Sequence, residues 1–450
     1  MSHSNELASV LKGMVGESNV ILDPDSLQAC AVDGLAPKAV VCPGSAAEIS
    51  SLLRYANAEK LAVAPRGSGT KMAVGGVPPK IDLVLSTARL DRIVDYDIAN
   101  LSLTVEAGVR LAEVQTHLAG GKKGNFLPLD PPYSEKATIG GVIAANASGP
   151  KRYSYGSARD LLLGLKAVTP TGDIVSFGGK TVKNVSGYDM TKLMIGSWGG
   201  LGVITEITTK LLPLPEASAT MLVSFEKPAA AGLFIRKIIH STLLPSAVEL
   251  LESKAAARLG EDAKYLAAFS LEGVPEAVER QIAEIGDNAV KEGAAAVKVL
   301  KGTEDHIFWI RIRDFALDLA KEFALPVILR SNFLISRHAV IMESYEKMAR
   351  EAGIASAFIA HAGNGIITTY LLENPDTPSK IKGIIALIGK LTVEALKHGG
   401  NLVVESCPRE LKETVSVWGE PRSDYVVMRR LKEKMDPAGV LNPGRFAAGI

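Results

Sequence analysis

The sequence predicts an α+β protein of more than one domain, and three observations carry that expectation. The chain has 450 residues, whereas a single domain usually takes ~100–200. Hydrophobic residues make up 47% and charged residues 22%, the balance of a folded globular chain rather than a disordered one. The texture also changes near Pro215. Before it, short apolar β-rich runs end in Gly or Pro; after it, strands interleave with longer amphipathic helices.

Taken in order, residues 1–35 read as a helical lead-in. From Ala39, VVCP reads as a short strand, AAEISSLLRYANAEK as an amphipathic helix, and LAVAPRG as a strand running into a glycine turn. DLVLST, SLTVEAG, LLLGLKAVTPTGDIVSF and GVITEITTKLLPLP continue as β-rich runs to 215. Over 216–405, AAAGLFIRKIIHSTLL, VPEAVERQIAEIGDNAVKEG and RHAVIMESYEKMAREAG read as helices. They alternate with the strands MLVSF, AFIAHAG and GIITTYLL, and the helices are expected to cover one face of a sheet. The last part, 406–450, reads as a helix, DYVVMRRLKEKM, followed by the punctuated loop DPAGVLNPGRF.

Fifty basic and 49 acidic residues leave a net charge of +1, so no global field draws the chain to nucleic acid or an anionic membrane. Cys30, Cys42 and Cys407 are too few and too dispersed for a disulfide framework or an iron–sulfur ligand set. They read as inert thiols in a reducing cytoplasm. The N-terminal MSHSNELASVLKGMVGESNV has neither the basic nor the apolar region of a signal peptide. The apolar stretch IKGIIALIGKLTVEAL carries lysines and is shorter than the ~20 residues of a span. A soluble cytoplasmic protein without direct membrane insertion is expected.

The first segment that carries chemistry is Pro65-Arg66-Gly67-Ser68-Gly69-Thr70-Lys71, at the end of an apolar strand. Glycines around a hydroxyl let consecutive backbone N–H groups converge on an anion, and Arg66 and Lys71 add charge. That suits a pyrophosphate; a plain tight turn is the alternative. A dinucleotide G-x-G-x-x-G fails because Met72 or Ala73 stands where its third glycine belongs. A Walker A loop fails at Gly179-Lys180-Thr181 because Ile174 replaces the earlier glycine. The second segment runs from Asp130 through Pro131, Ser134, Thr138, Gly140 and Gly141 to Ala144, Asn146, Ser148 and Gly149. So many small residues let backbone pass close to a flat ligand, unless they form only a glycine-rich helix start. Gly199-Gly200-Leu201-Gly202-Val203-Ile204-Thr205 is a third such loop.

PRGSGTK, DPPYSEKATIGG with the following A-x-N-x-SG, YG-x-x-RD-x-x-LG, KNVSGYD, GLGVITE and the terminal DP-x-GVLNPG resemble FAD-linked oxidases of the vanillyl-alcohol oxidase and p-cresol methylhydroxylase type. Among them, the chain is similar to FAD-binding subunits of glycolate oxidase and to D-lactate and D-2-hydroxyglutarate dehydrogenases. The resemblance implies a two-part FAD-binding domain over 36–215 and an α+β cap with an antiparallel sheet over 216–405. It also implies that 406–450 returns to the flavin. Residues 66–71 would hold the pyrophosphate, while Thr138, Gly141, Ala144 and Asn146 run along the flavin. Ile204 would lie in a strand alongside the adenosine part, Gly202 would be a further cofactor-binding residue, and Asn442 would sit near the isoalloxazine. Some relatives attach FAD through a histidine in the first loop. Ser68 stands there instead, so noncovalent FAD is implied.

The same resemblance marks a departure. His361-Ala362-Gly363-Asn364-Gly365-Ile366-Ile367-Thr368 is similar to the family's H-x-G-[DN]-G-x-x-H, in which both histidines bind a divalent metal. A later Glu completes that set, and a histidine following it is the base. Here Thr368 replaces the second histidine, Glu405 stands at the carboxylate and Ser406 at the base. Threonine is a poor ligand and serine a poor base near neutral pH, so no bound metal is expected. His361 is read either as a structural histidine near the flavin or as itself the base or a hydrogen-bond donor to substrate. Arg330, ending VILR, is a candidate clamp for a substrate carboxylate, with Arg311 and Arg313 as rivals. Two readings follow: a dehydrogenase of a small 2-hydroxy acid passing electrons to a partner, or a non-catalytic or relay FAD subunit beside catalytic flavoprotein and iron–sulfur subunits.

Overall fold

A computed structural model describes residues 2–120, 124–180, 187–323 and 325–450. They form two compact units. One comprises 1–148, 157–214 and 421–450; the other comprises 149–156 and 215–420.

The first unit contains two sheets. Strands β1 (Val20–Ile21), β2 (Ala39–Val41), β3 (Val63–Arg66) and β4 (Leu83–Ser86) lie in the order β1-β2-β4-β3. β2 and β3 run parallel to β4, and β1 runs antiparallel to β2. Parallel strands need a crossover, and the helix Ala46–Ala58 provides it between β2 and β3. Ser45 caps that helix by accepting the Glu48 N–H, and Ile49, Leu52, Leu53 and Ala56 form its buried stripe. The lead-in is therefore not wholly helical, because Val20 pairs with Val41 at the sheet edge. Two residues are too few to show the alternation by which a strand is recognised.

Strands β5 (Ile93–Asp97), β6 (Ser102–Glu106), β7 (Asn125–Phe126), β8 (Leu162–Val168), β9 (Ile174–Gly178), β10 (Val203–Lys210) and β11 (Leu212–Pro213) follow. Five of them make an antiparallel sheet ordered β5-β6-β10-β8-β9, and β7 pairs with β11.

The second unit is built on one eight-stranded antiparallel sheet. Its strands are β12 (Ala217–Phe225), β13 (Ala247–Glu252), β14 (Tyr265–Gly273), β15 (Ala296–Lys301), β16 (Ile328–Asn332), β17 (Ser356–His361), β18 (Ile366–Leu371) and β19 (Asn401–Ser406). They lie in the order β15-β12-β14-β13-β17-β18-β16-β19. Helices cover both faces rather than the single face expected. Phe234, Ile285, Tyr345 and Leu387, from four helices, pack on one face with Met221 and Leu250; Ala256, Phe308 and Phe315 pack on the other with Leu251 and Ile359. The apolar residues of β13 face both ways, and such strands are buried on both sides.

Glu346, on the helix His338–Glu351 of this unit, accepts a hydrogen bond from the Tyr265 hydroxyl at 2.9 Å, and its other oxygen is buried without a partner among the described residues. Burial, with Glu252 and Glu343 adding repulsion, pushes its carboxyl up to about 7. The folded chain thus holds this proton more tightly than the unfolded chain. Its contribution is full below the ordinary carboxylate range and is lost as pH rises through about 7. Glu346→Gln should flatten the pH dependence of stability between about pH 5 and about pH 8, leaving the variant ~1–2 kcal/mol more stable at the upper end. Urea unfolding at several pH values measures this, and parallel curves for the two proteins would refute it.

Candidate active site

In the first unit β3 delivers Arg66 into the glycine loop. A Cβ on Gly67 would overlap the Thr138 hydroxyl, and one on Gly140 would lie 2.7 Å from the Ala107 Cβ. Gly69 has φ +82°, which glycine adopts without strain. Thr138 caps the helix Ile139–Ala145 by accepting the Gly141 N–H at 3.2 Å. The two loops therefore approach backbone to side chain, with no room for larger residues. Ser68 donates its hydroxyl hydrogen to the Lys136 carbonyl, Ser134 donates to Pro131 O at 2.6 Å, and Lys71 lies over the Tyr133 ring. Thr70 is half-buried in the same turn.

The helix Ile139–Ala145 ends at Asn146, which adopts the left-handed conformation with φ 47°. Trp198 N–H donates to the carbonyl of Ala144, and Gly196 N–H to that of Ile143, so the third glycine loop docks on this helix. Asn442 reaches the same place, donating Nδ2 to Trp198 O at 2.7 Å. Tyr133, Asn146, Trp198 and Asn442 all have positive φ, a strain that non-glycine residues carry mainly at functional loops. Gly202 precedes β10, where Ile204 is 5% exposed and packs into the core beside that helix. Ser148 closes this stretch of the first unit, whereas Gly149 falls in the second. In the KNVSGYD motif, Lys183–Ser186 lie outside the described residues, as does Thr181.

A buried lysine ties these segments together. Lys432, on the helix Tyr425–Met435, donates to Gly200 O and Leu441 O at 2.7 Å each, and to Asp436 Oδ2 at 2.5 Å. Burial pulls the Lys432 ammonium below its ordinary range, opposed by Asp436.

In the second unit the strand register collects the remaining residues. Glu249 of β13 is opposite His361 of β17, and Thr368 of β18 is opposite Arg330 of β16. With a period of two, Glu249, His361, Thr368 and Arg330 share the sheet face that carries Leu251 and Ile359. His361 Nδ1 lies 2.6 Å from Glu249 Oε1, and Glu249 is fully buried. A carboxylate only accepts, so in this contact Nδ1 is the donor and Nε2 is the ring nitrogen left for another partner. The His361 side chain retains 12% exposure. Asn364, in the turn after His361, has a buried Oδ1 with no partner among the described residues.

Arg330 Nη1 donates to Glu405 Oε1 at 2.9 Å, while its Nε and Nη2 make no hydrogen bond among the described residues. The rivals are committed elsewhere. Arg311 donates to Leu259 O and Arg258 O, and Arg313 pairs with Asp314. Trp309 is core, donating Nε1 to Thr220 at 2.7 Å. Among the described residues no three His, Cys, Asp or Glu side chains gather as a metal would require.

Residues 149–156, which leave the first unit's sequence to join the second, bring charges that residue patterns did not single out. Lys151 Nζ and the Tyr155 hydroxyl donate to Glu272 at 2.5 and 2.8 Å. Tyr153 lies so close to Gly363 that a Cβ there would overlap its ring, which holds the His361 turn against the sheet.

The chain matches the description "FAD binding domain" over residues 37–178 and "FAD linked oxidases, C-terminal domain" over 214–446. The chain belongs to the FAD-linked oxidases. It is 31% identical to glycolate oxidase subunit GlcD of Bacillus subtilis over 92% of this chain and 89% of that one. With D-lactate dehydrogenase of Archaeoglobus fulgidus it shares 30% over 90% of each. The fold is that of solved p-cresol methylhydroxylase, with TM-score 0.76 and 16% identity over 98% of this chain and 96% of that one.

As an FAD-linked oxidase the chain takes FAD as cofactor, and the first unit's residues fit it. The buried Asn146 Oδ1 has no partner among the described residues, which a polar ligand would supply. Glycine loops of this kind can turn backbone N–H groups toward a pyrophosphate. Glu249 escaped the sequence reading, although a carboxylate inside the apolar run SAVELLE was an available signal. Gly67→Ala should weaken FAD binding about 10-fold or more, the ~1.4 kcal/mol of a forced backbone shift, with far-ultraviolet dichroism unchanged. Flavin retained per chain after desalting measures it, and full retention would refute the close-approach account. Acid precipitation should release all the FAD of the native chain, leaving a colourless pellet.

Proposed function

We propose that this FAD-linked oxidase is a dehydrogenase of a small 2-hydroxy acid of the glycolate or D-lactate class, in which His361 accepts the hydroxyl proton. The observation that carries this reading is the His361–Glu249 pair. A buried carboxylate on Nδ1 holds the imidazole in one tautomer and turns the basic Nε2 outward. It also stabilises the imidazolium that forms when the proton arrives. Arg330, on the same sheet face, has guanidinium hydrogens left to bind a carboxylate while Glu405 holds its Nη1. Asn364 Oδ1 is a buried acceptor beside His361. FAD, when bound, supplies the two-electron acceptor for the α-hydride.

The relatives support the substrate class, since they are a glycolate oxidase subunit and D-lactate and D-2-hydroxyglutarate dehydrogenases. Arg330 also brings a fixed positive charge beside Thr368 and Glu405, where the resemblance implied a metal ligand set. Electrons would leave through a partner that carries any iron–sulfur cluster, since Cys30, Cys42 and Cys407 form no disulfide and are too few and too dispersed in sequence for a cluster. Such thiols suit the reducing cytoplasm, which we propose as its location. Among the described residues no helix is long and apolar enough to cross a membrane.

A second reading, an accessory FAD subunit, is favoured by the Arg330–Glu405 ion pair, which already occupies part of the clamp, and by Ser406 at the position of the expected base. Anaerobic stopped-flow of the isolated chain decides between the two. Bleaching of the flavin by glycolate or D-lactate is expected, slowed by ~10²–10⁴ in His361→Asn. Arg330→Met should raise the substrate concentration needed by about 10-fold or more. Bleaching only after a catalytic partner is added would establish the accessory reading instead.

A further inference from the structure

We infer that the first unit carries a second ligand site, for an aliphatic chain with an anionic head, between the loop 195–201 and the C-terminal helix. A cavity of about 430 Å³ opens there, within the ~300–1,000 Å³ range of small-molecule pockets. Its walls are apolar: Leu193 and Leu201 on one side, Met428 and Leu431 of the helix Tyr425–Met435 on the other, with Phe446 beside them. The apolar part of this lining favours a hydrocarbon chain, whose transfer out of water is favourable.

The polar groups are few and placed to orient a ligand. Ser197 lines the cavity, is 6% exposed, and its hydroxyl has no partner among the described residues. Arg159 and Lys192 also line it. Arg159 is exposed and uses one Nη2 contact, to Ile195 O at 3.3 Å, leaving other guanidinium hydrogens for a ligand. The Lys192 ammonium makes no hydrogen bond or ion pair among the described residues. Asp160 is the nearby acid; its carboxylate already accepts from the Ser157 N–H and hydroxyl, and Lys192 acts on it at a distance. Lys432 contributes no free charge because Asp436 neutralises it. The cavity thus presents two cations, which select a carboxylate or phosphate head over a neutral one.

The apolar stripe also continues outward. Val427, one helical turn before Leu431, is 66% exposed, and Arg430 lies three residues on, on the same side of the helix. A free fatty acid and an acyl chain of an acidic phospholipid share this chemistry. The inference is independent of the function proposed for the second unit, because it uses none of its residues.

Binding to the full FAD-loaded chain tests it, with laurate competing against a fluorescent fatty acid and, separately, flotation with phosphatidylcholine vesicles with or without phosphatidylglycerol. Saturable one-to-one binding of laurate is expected, weakened about 10-fold or more by Lys192→Glu and abolished by Met428→Trp, which fills the cavity. Flavin absorbance of each variant reports that the chain is folded. Flotation that requires phosphatidylglycerol and is lost in the same two variants identifies the lipid source, whereas laurate binding without flotation identifies a free acid. No saturable binding to either probe, or binding indifferent to Lys192→Glu, would overturn the inference, even if Met428→Trp failed to fold.

Discussion

The first unit depends on a buried ammonium. Moving a lysine out of water costs several kcal/mol unless its hydrogens and charge are met, and Lys432 meets them with Asp436, Gly200 O and Leu441 O. Asp436 is satisfied in turn by the backbone N–H groups of Val440 and Leu441. The network joins the loop after Trp198 to the turn containing Asn442, segments more than two hundred residues apart in sequence. Asn442 can then bond Trp198, which docks on the helix beginning at Thr138. Remove the ion pair and each strained loop loses the packing that justifies its conformation.

The second unit relies on register instead. Slipping one strand by a residue would move its side chains to the opposite face, separating His361 from Glu249. The pairing of β13 with β17 prevents this because Leu250 and Leu251 must enter different cores. Packing on both faces therefore fixes a chemical contact that neither residue would hold alone. The turn from His361 to Ile366 is pinned a second time by Tyr153, which leaves no room for a side chain at Gly363.

Much of this was legible because glycine and strand signals are local. The loop at Gly67, the small-residue run at Thr138 and the terminal LNPG turn declare themselves by composition, and their meeting follows from a resemblance spread over nearly the whole chain. What escaped depends on contacts across long separations. A lysine on an amphipathic helix reads as solvated, so Lys432 gave no sign of burial. The helix Thr303–Arg313, TEDHIFWIRIR, has apolar and charged residues without a clean stripe, and its cover of the second sheet face was missed. Glu249 announces nothing until β17 places a histidine opposite it. Likewise, nothing in GPKRYSYG says that it leaves one folded unit to join another.

Charge balance on the second unit's face bears on what the proposed chemistry would demand. Glu249 is buried against the His361 imidazole, and in the proposed reaction a proton arriving at Nε2 would face that carboxylate in surroundings where charge pairs are strong. Arg330 is matched by Glu405 on the same face. An incoming carboxylate must use the guanidinium hydrogens that Glu405 leaves open, and both side chains remain about a quarter exposed. Water at that exposure screens the repulsion between substrate and Glu405, while the buried Glu249 feels no such screening. The two acids are therefore not equivalent: Glu405 shares Arg330 with solvent, whereas the buried Glu249 holds the His361 ring by its Nδ1.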